Sequence, residues 1–180
     1  GLAQAPSLYE AARIIGEEIR RVSDLDRAAL ERDEFKFNVN LILGGQVRGE
    51  GPGLFIIYPQ GHPLQASEDS PYLQIGETKY GRPILDRGIR FDKTTLEEAA
   101  KYALLSLDST MRSNVTVGPP IDLLAYEVDE LEITRRRRFA AGDPDLVKIG
   151  VRWEQALRQA VARLPQIRFR ASRDSGPPQS

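Results

Sequence analysis

The chain has 180 residues, a formal net charge of −1, no cysteine and a single histidine, His62. That length suits one domain with a real core, and the balanced charge gives no reason to expect nucleic acid or an anionic membrane as a partner. The missing cysteines exclude a disulfide framework, a thiolate metal site and a cysteine nucleophile, and one histidine leaves little for a metal centre or a Ser-His-Asp triad; no cofactor is expected.

No apolar run reaches the roughly 18 residues of a membrane helix, and no targeting pattern is visible, so a cytoplasmic protein is expected. Gly1-Leu-Ala-Gln-Ala-Pro6 reads as a linker entering a helix, without an initiator Met. Ser7, with Glu10 three residues on, forms a capping box. Leu8, Ala11, Ala12, Ile15, Ile19 and Val22 then recur on one helical face. Ser23-Asp24 is expected to interrupt that helix, leaving a second short piece over Leu25–Arg32.

Phe35–Leu43 alternates apolar and polar before turning fully apolar, the pattern of a strand entering a core. Gly49-Glu-Gly-Pro-Gly53 and Pro59-Gln-Gly-His62 are turns on either side of a buried strand, Leu54–Tyr58. Shorter strands are expected at Leu64–Ala66 and Tyr72–Ile75. Strand pairs joined by Gly/Pro turns imply an antiparallel sheet. Beyond Gly76 the period becomes helical. Tyr80–Arg87 is a helix with Pro83 in its first turn. Thr94 or Thr95 caps the next helix, with Leu96, Ala99, Ala100, Ala103, Leu104 and Leu107 as its buried face. That helix is expected to end at Leu107.

Strands are then expected at Val115–Val117 and Ile121–Val128, around a Gly118-Pro119-Pro120 turn, and at Arg135–Phe139. Asp143-Pro144 opens a last helix, whose apolar face is Leu146, Ile149, Trp153, Leu157, Ala160, Val161 and Leu164. That stripe is most simply core, and it equally suits a neighbouring subunit. The tail 171–180 is polar, Pro-rich and expected to be disordered. Strands in runs between helices give an α+β layered domain over 1–170.

The densest polar stretch runs from Ser106 to Asp122. It gathers Asp108, Ser109, Thr110, Ser113 and Asn114 behind a helix, where polar groups cap the helix or build a site. The four arginines Arg135–Arg138 follow Glu127, Asp129, Glu130 and Glu132, so a paired surface or subunit contact is expected ahead of a nucleic-acid patch. His62 sits in a turn and reads as solvated.

Asn38-Val-Asn-Leu-Ile-Leu-Gly-Gly-Gln46, Gly51-Pro-Gly-Leu-Phe-Ile-Ile-Tyr-Pro-Gln-Gly61 and Tyr72-Leu-Gln-Ile-Gly76 resemble the proteasome β-subunit pattern. Gly76-Glu-Thr-Lys-Tyr-Gly-Arg-Pro-Ile-Leu-Asp86 and Asp108-Ser-Thr-Met-Arg-Ser-Asn114 resemble its bacterial branch, the Anbu (ancestral β-subunit-like) proteins, over about residues 7 to 165. The resemblance implies a four-layer αββα sandwich, the N-terminal nucleophile hydrolase fold, here lacking its first strands. It implies peptide-bond hydrolysis by a threonine at the mature N-terminus, whose own amine is the general base. It also implies a homo-oligomer, ring or open helical, acting on peptides or unfolded proteins.

Gly1 is not a nucleophile, and the nucleophile-bearing segment is expected to lie outside the chain. Supporting roles are implied for Asp108, as the acid near the N-terminal amine, and for Ser109 or Ser113. Met111 stands where the family usually has a serine. Gly76 and Thr78 lie where it places another. The alternative for Asp108 is a structural role at a helix end, and the alternative for the whole chain is a non-catalytic assembly subunit on the same fold. The residue at the mature N-terminus separates those two readings.

Overall fold

The computed structural model describes residues 1–32, 34 and 37–169. The first helix, α1 (Leu8–Arg32), starts where expected: the Ser7 hydroxyl accepts the Glu10 N–H at 3.0 Å. It does not break at Ser23-Asp24. Neither residue removes a backbone donor, and the pairs Arg21–Glu18 and Arg27–Asp24, one turn apart, run along its exposed side. Its buried stripe of Leu8, Ala12 and Ile19 packs on Phe55 and Ile57 to make the first core.

Those two residues belong to β2 (Gly53–Ile57), the middle strand of an antiparallel sheet ordered β1-β2-β3, with β1 at Leu41–Gly45 and β3 at Pro63–Gln65. Leu43 faces Phe55 across the β1–β2 pair, and Phe55 faces Gln65 across β2–β3. β1 is shorter than the sequence suggests. Phe35 and Lys36 lie outside the described residues, and Phe37–Asn40 find no strand partner because Leu41–Gly45 already matches all of β2. The β2–β3 turn is clamped to α1. Arg20 donates to the Gln60 and Gly61 carbonyls at 3.2 and 3.1 Å, and a Cβ on Gly16 would overlap the Gly61 carbonyl. Tyr72–Ile75 is not a strand; the Tyr72 hydroxyl instead donates to Asp86.

Asp86 lies on α2 (Arg82–Gly88), which has Pro83 in its first turn as expected. Next comes α3 (Leu96–Ser113), with Thr95 and Glu98 forming a reciprocal capping box. It runs past Leu107 to Ser113. Three polar side chains of its last turns find partners within the helix: Arg112 bonds Asp108, and the Thr110 hydroxyl bonds the Ser106 carbonyl. After it, Val115–Val117 forms no strand. The Asn114 side chain instead turns the chain by accepting the Thr116 N–H at 2.9 Å.

A second antiparallel pair follows, β4 (Ile121–Ala125) with β5 (Arg135–Phe139), and then α4 (Pro144–Ala162), capped by Asp143. Leu104, Ile121, Phe139 and Leu146 form the second core, with Met111 and Ile149 against it. Each sheet thus carries helix on one face, and the α+β class of the sequence reading holds. The last helix departs from the core expectation. Leu146 is only 7% exposed, but Leu157 and Leu164 are 50% and 65% exposed. The stripe continues after its cover ends. The tail 171–180 falls outside the described residues.

Candidate functional site

Two segments far apart in sequence meet at the end of α3. The loop after Gly76 turns there through a positive φ of 80°, a conformation that suits glycine. Glu77 follows. One of its carboxylate oxygens accepts the Lys79 N–H at 3.1 Å; the other accepts Asn114 Nδ2 at 3.3 Å. Asn114 caps α3 with its own N–H on the Thr110 carbonyl, and its side-chain oxygen also accepts the Thr116 hydroxyl at 2.7 Å. A carboxylate, an amide and a hydroxyl are thereby linked in a row.

The loop is pressed onto α3 about two turns deeper. A Cβ on Gly81 would strike the Ser106 hydroxyl and come within 2.9 Å of its carbonyl. Ser106 and Thr110 are both buried there. Gln74 Oε1 is buried beside them with no hydrogen-bond partner among the described residues.

Asp108, Ser109 and Ser113 are not brought together. All three lie within α3, and at ~100° per residue Asp108 points about 100° from Ser109 and about 140° from Ser113. The Asp108 side chain, 15% exposed, faces α4. A Cβ on Gly150 would lie 2.8 Å from its Oδ1, and its Oδ2 accepts Arg112 Nε at 3.1 Å. Arg112 also reaches Glu154 of α4 at 3.7 Å. Ser109 is half-buried and Ser113 is exposed in the final turn. Asp108 lies more than a turn from the helix end, so the dipole penalty expected for a terminal carboxylate does not apply. Met111 packs in the second core, which explains why no hydroxyl stands at that position. Of Gly76 and Thr78, the first makes the turn and the second caps α2 through its carbonyl, 3.0 Å from the Arg82 N–H.

The basic strand is paired, mostly with acids other than those expected. Arg135 bonds Glu127 and Glu97, Arg137 bonds Asp143 and Asp145, and Arg138 bonds Asp122. Arg137 also lies 4.3 Å over the Phe139 ring. The Glu97 carboxyl is held below its usual range by its own backbone N–H and then by Arg135. The Tyr72 hydroxyl is pushed up, first by burial and then by Asp86. Among the described residues no cluster of acids and His62 has the spacing of a metal site, and no helix is long and apolar enough to cross a membrane.

The sequence reading missed Glu77, Ser106 and Gln74. Ser106 had a signal, since it shares a helical face with Thr110 opposite Leu104 and Met111. Glu77 had none, because its partner Asn114 is 37 residues away.

No protein-family model and no curated protein sequence matches the chain. Solved structures do. The Anbu (Gly-1) mutant from Hyphomicrobium sp. strain MC1 is 46% identical with a TM-score of 0.86, and the match covers 93% of this chain and 69% of that one. Anbu (ancestral β-subunit) from Yersinia bercovieri is 41% identical with a TM-score of 0.85, covering 94% and 69%. The Anbu complex from Pseudomonas aeruginosa, described as a helical assembly, is 41% identical with a TM-score of 0.85, covering 92% and 68%.

Proposed function

The chain belongs to the Anbu family of ancestral proteasome β-subunit-like proteins, and from that premise we propose that it is part of a cytoplasmic proteasome-type peptidase subunit. The observation that carries the reading is the 46% identity over 93% of the chain, at a TM-score of 0.86. The Glu77–Asn114 bond supports it, since it joins the two polar motifs on which the resemblance rests.

In such a subunit the hydroxyl of an N-terminal threonine attacks the peptide carbonyl. Its proton passes to the threonine's own amine, which later protonates the leaving amine; water then releases the acyl group. In this reading the chain supplies supporting groups to that threonine. Ser113, Asn114 and Glu77 form the polar end of α3 that faces the chemistry. Asp108 is a positioning residue: clamped by Arg112 and seated on Gly150, it holds the helix that presents them. The subunit assembles with copies of itself, a reading supported by the helical assembly of the relative from Pseudomonas aeruginosa.

The test compares the full-length gene product with the 180-residue polypeptide on fluorogenic peptides, together with N-terminal sequencing of the mature subunit. Hydrolysis is expected from the full-length protein alone, and it is lost when the mature N-terminal residue is replaced by alanine. Turnover by the 180-residue polypeptide would sink the reading. A mature N-terminus without Thr, Ser or Cys would establish the non-catalytic assembly subunit instead.

A further inference from the structure

The core under α1 and the core on β4 and β5 share no residue. Among the described residues, every hydrogen bond that joins residues 1–65 to residues 82–169 is made by the half-buried side chain of Gln46. Its Oε1 accepts the Tyr126 hydroxyl and the Asp129 N–H, each at 2.8 Å. Its Nε2 donates to the Asp129 carboxylate and to the Glu50 carbonyl, each at 2.7 Å. Both donors and both lone pairs of the amide are therefore in use. The turn it grips, residues 126–131, has an unusual backbone. Asp129 and Leu131 have φ of 69° and 55°, in the left-handed region. Aspartate tolerates that region, whereas a bulky leucine is forced into it. Such residues persist only where their surroundings hold them. Here the hold is the Tyr126 hydroxyl, which accepts the Leu131 N–H at 3.2 Å while donating to Gln46.

We propose that Gln46 is a conformational latch: it holds the turn 126–131 in a strained form and thereby fixes the second sheet against the β1–β2 hairpin. Its reach extends to α1. The Glu50 whose carbonyl it bonds also accepts the Leu8 N–H on its carboxylate at 3.2 Å, in the first turn of that helix. Leu131, Tyr126, Gln46, Glu50 and Leu8 thus form one row of hydrogen bonds from the β4–β5 connection to the start of α1. In the open state Leu131 leaves the left-handed region, the turn parts from Gln46, and Glu50 loses the bond that steadies it under Leu8. The strain in the turn favours opening and the four bonds of one amide oppose it, which gives the element its two states. The latch is independent of the peptidase chemistry proposed above.

A double-mutant cycle in the full-length protein tests the latch. Leu131→Gly keeps the left-handed backbone and removes its steric penalty. Gln46→Leu removes all four bonds of the amide. If Gln46 holds the strain, Leu131→Gly should shift the melting temperature at least ~2 °C more favourably beside Gln46 than in the Gln46→Leu background, where the turn has already relaxed. Additive shifts mean that the turn adopts this form by itself, and they overturn the proposal. Hydrogen exchange reads the same event locally. In Gln46→Leu the amides of Asp129, Leu131 and Leu8 should exchange ~10-fold faster or more, while those of Leu104 and Phe139 in the second core keep their rates. Unchanged exchange at Asp129 and Leu131 overturns the latch, and unchanged exchange at Leu8 overturns its reach to α1. Equal acceleration at all five amides shows global destabilisation, which also defeats it. Should Gln46→Leu fail to fold, Tyr126→Phe, which deletes only the hydroxyl between Gln46 and Leu131, completes the cycle in its place.

Discussion

Gly81 and Gly150 each give up a side chain so that another group can sit close. Gly81 has an ordinary φ of −88°, so what excludes a Cβ there is the Ser106 hydroxyl and carbonyl. Gly81→Ala should therefore cost about 1–3 kcal/mol, the usual scale of overpacking, and calorimetry should show the lower melting temperature. An unchanged melt would mean that the loop is free to lift from α3. Gly150 makes room for the Asp108 carboxylate, whose partner Arg112 is half exposed. Such a pair contributes no more than ~1 kcal/mol, so Asp108→Asn should barely move stability. Its effect belongs in the rate. If Asp108 positions α3, kcat of the active full-length subunit should fall by ~10-fold, with KM and the pH profile unmoved. A shifted pH profile would mean instead that Asp108 touches the titrating amine directly.

Among the elements, α3 depends most on its first turn. Thr95→Ala removes the cap and should cost about 1 kcal/mol, read as a lower denaturation midpoint at constant slope. The same turn responds to acid. Glu97 has a folded pKa below its usual 4.5, so its stabilising contacts are present above that value and fade as pH falls through the folded pKa. Glu97→Gln should lower stability slightly near neutrality, where those contacts are present, and flatten the stability–pH curve below about pH 4.5. The caps at Ser7, Thr95 and Asp143 were legible because the capping oxygen and the backbone N–H that donates to it lie within three residues of each other. The hairpin turns were legible for the same local reason, through Gly49–Gly53 and Gly61. Helix ends were not. Ser23-Asp24 and Asp108–Ser113 have the composition of a stop, yet ion pairs and backbone bonds inside the helix satisfy them. Tyr72–Ile75 and Val115–Val117 have strand composition but no strand beside them, and pairing is a property of the partner as much as of the segment. The candidate site was legible only as a neighbourhood. Its motifs pointed to the end of α3, whereas Glu77 reaching Asn114 is a tertiary event.

Among the described residues one core lies under α1 and another under α3 and α4, and Gln46 bridges the sheets that floor them. Gln46, at the end of β1, accepts the Tyr126 hydroxyl and the Asp129 N–H, each at 2.8 Å, and donates to the Asp129 carboxylate at 2.7 Å. Both sheets remain open elsewhere. Among the described residues β1 and β3 are edges, and Ile42 and Leu64 leave the face of the first sheet away from α1 partly bare. Unpaired edges beside bare apolar surface recruit other chains. The 180-residue polypeptide alone should therefore associate at micromolar concentration or melt well below the full-length protein. Sedimentation velocity and a thermal scan of both, side by side, test this. Ile42→Lys with Leu64→Lys should reduce the association, because both charges would lie on the bare face and spare the core formed by Phe55 and Ile57. A monodisperse monomer with one cooperative transition at the full-length melting temperature would show that α1, α3 and α4 hold these sheets without further cover.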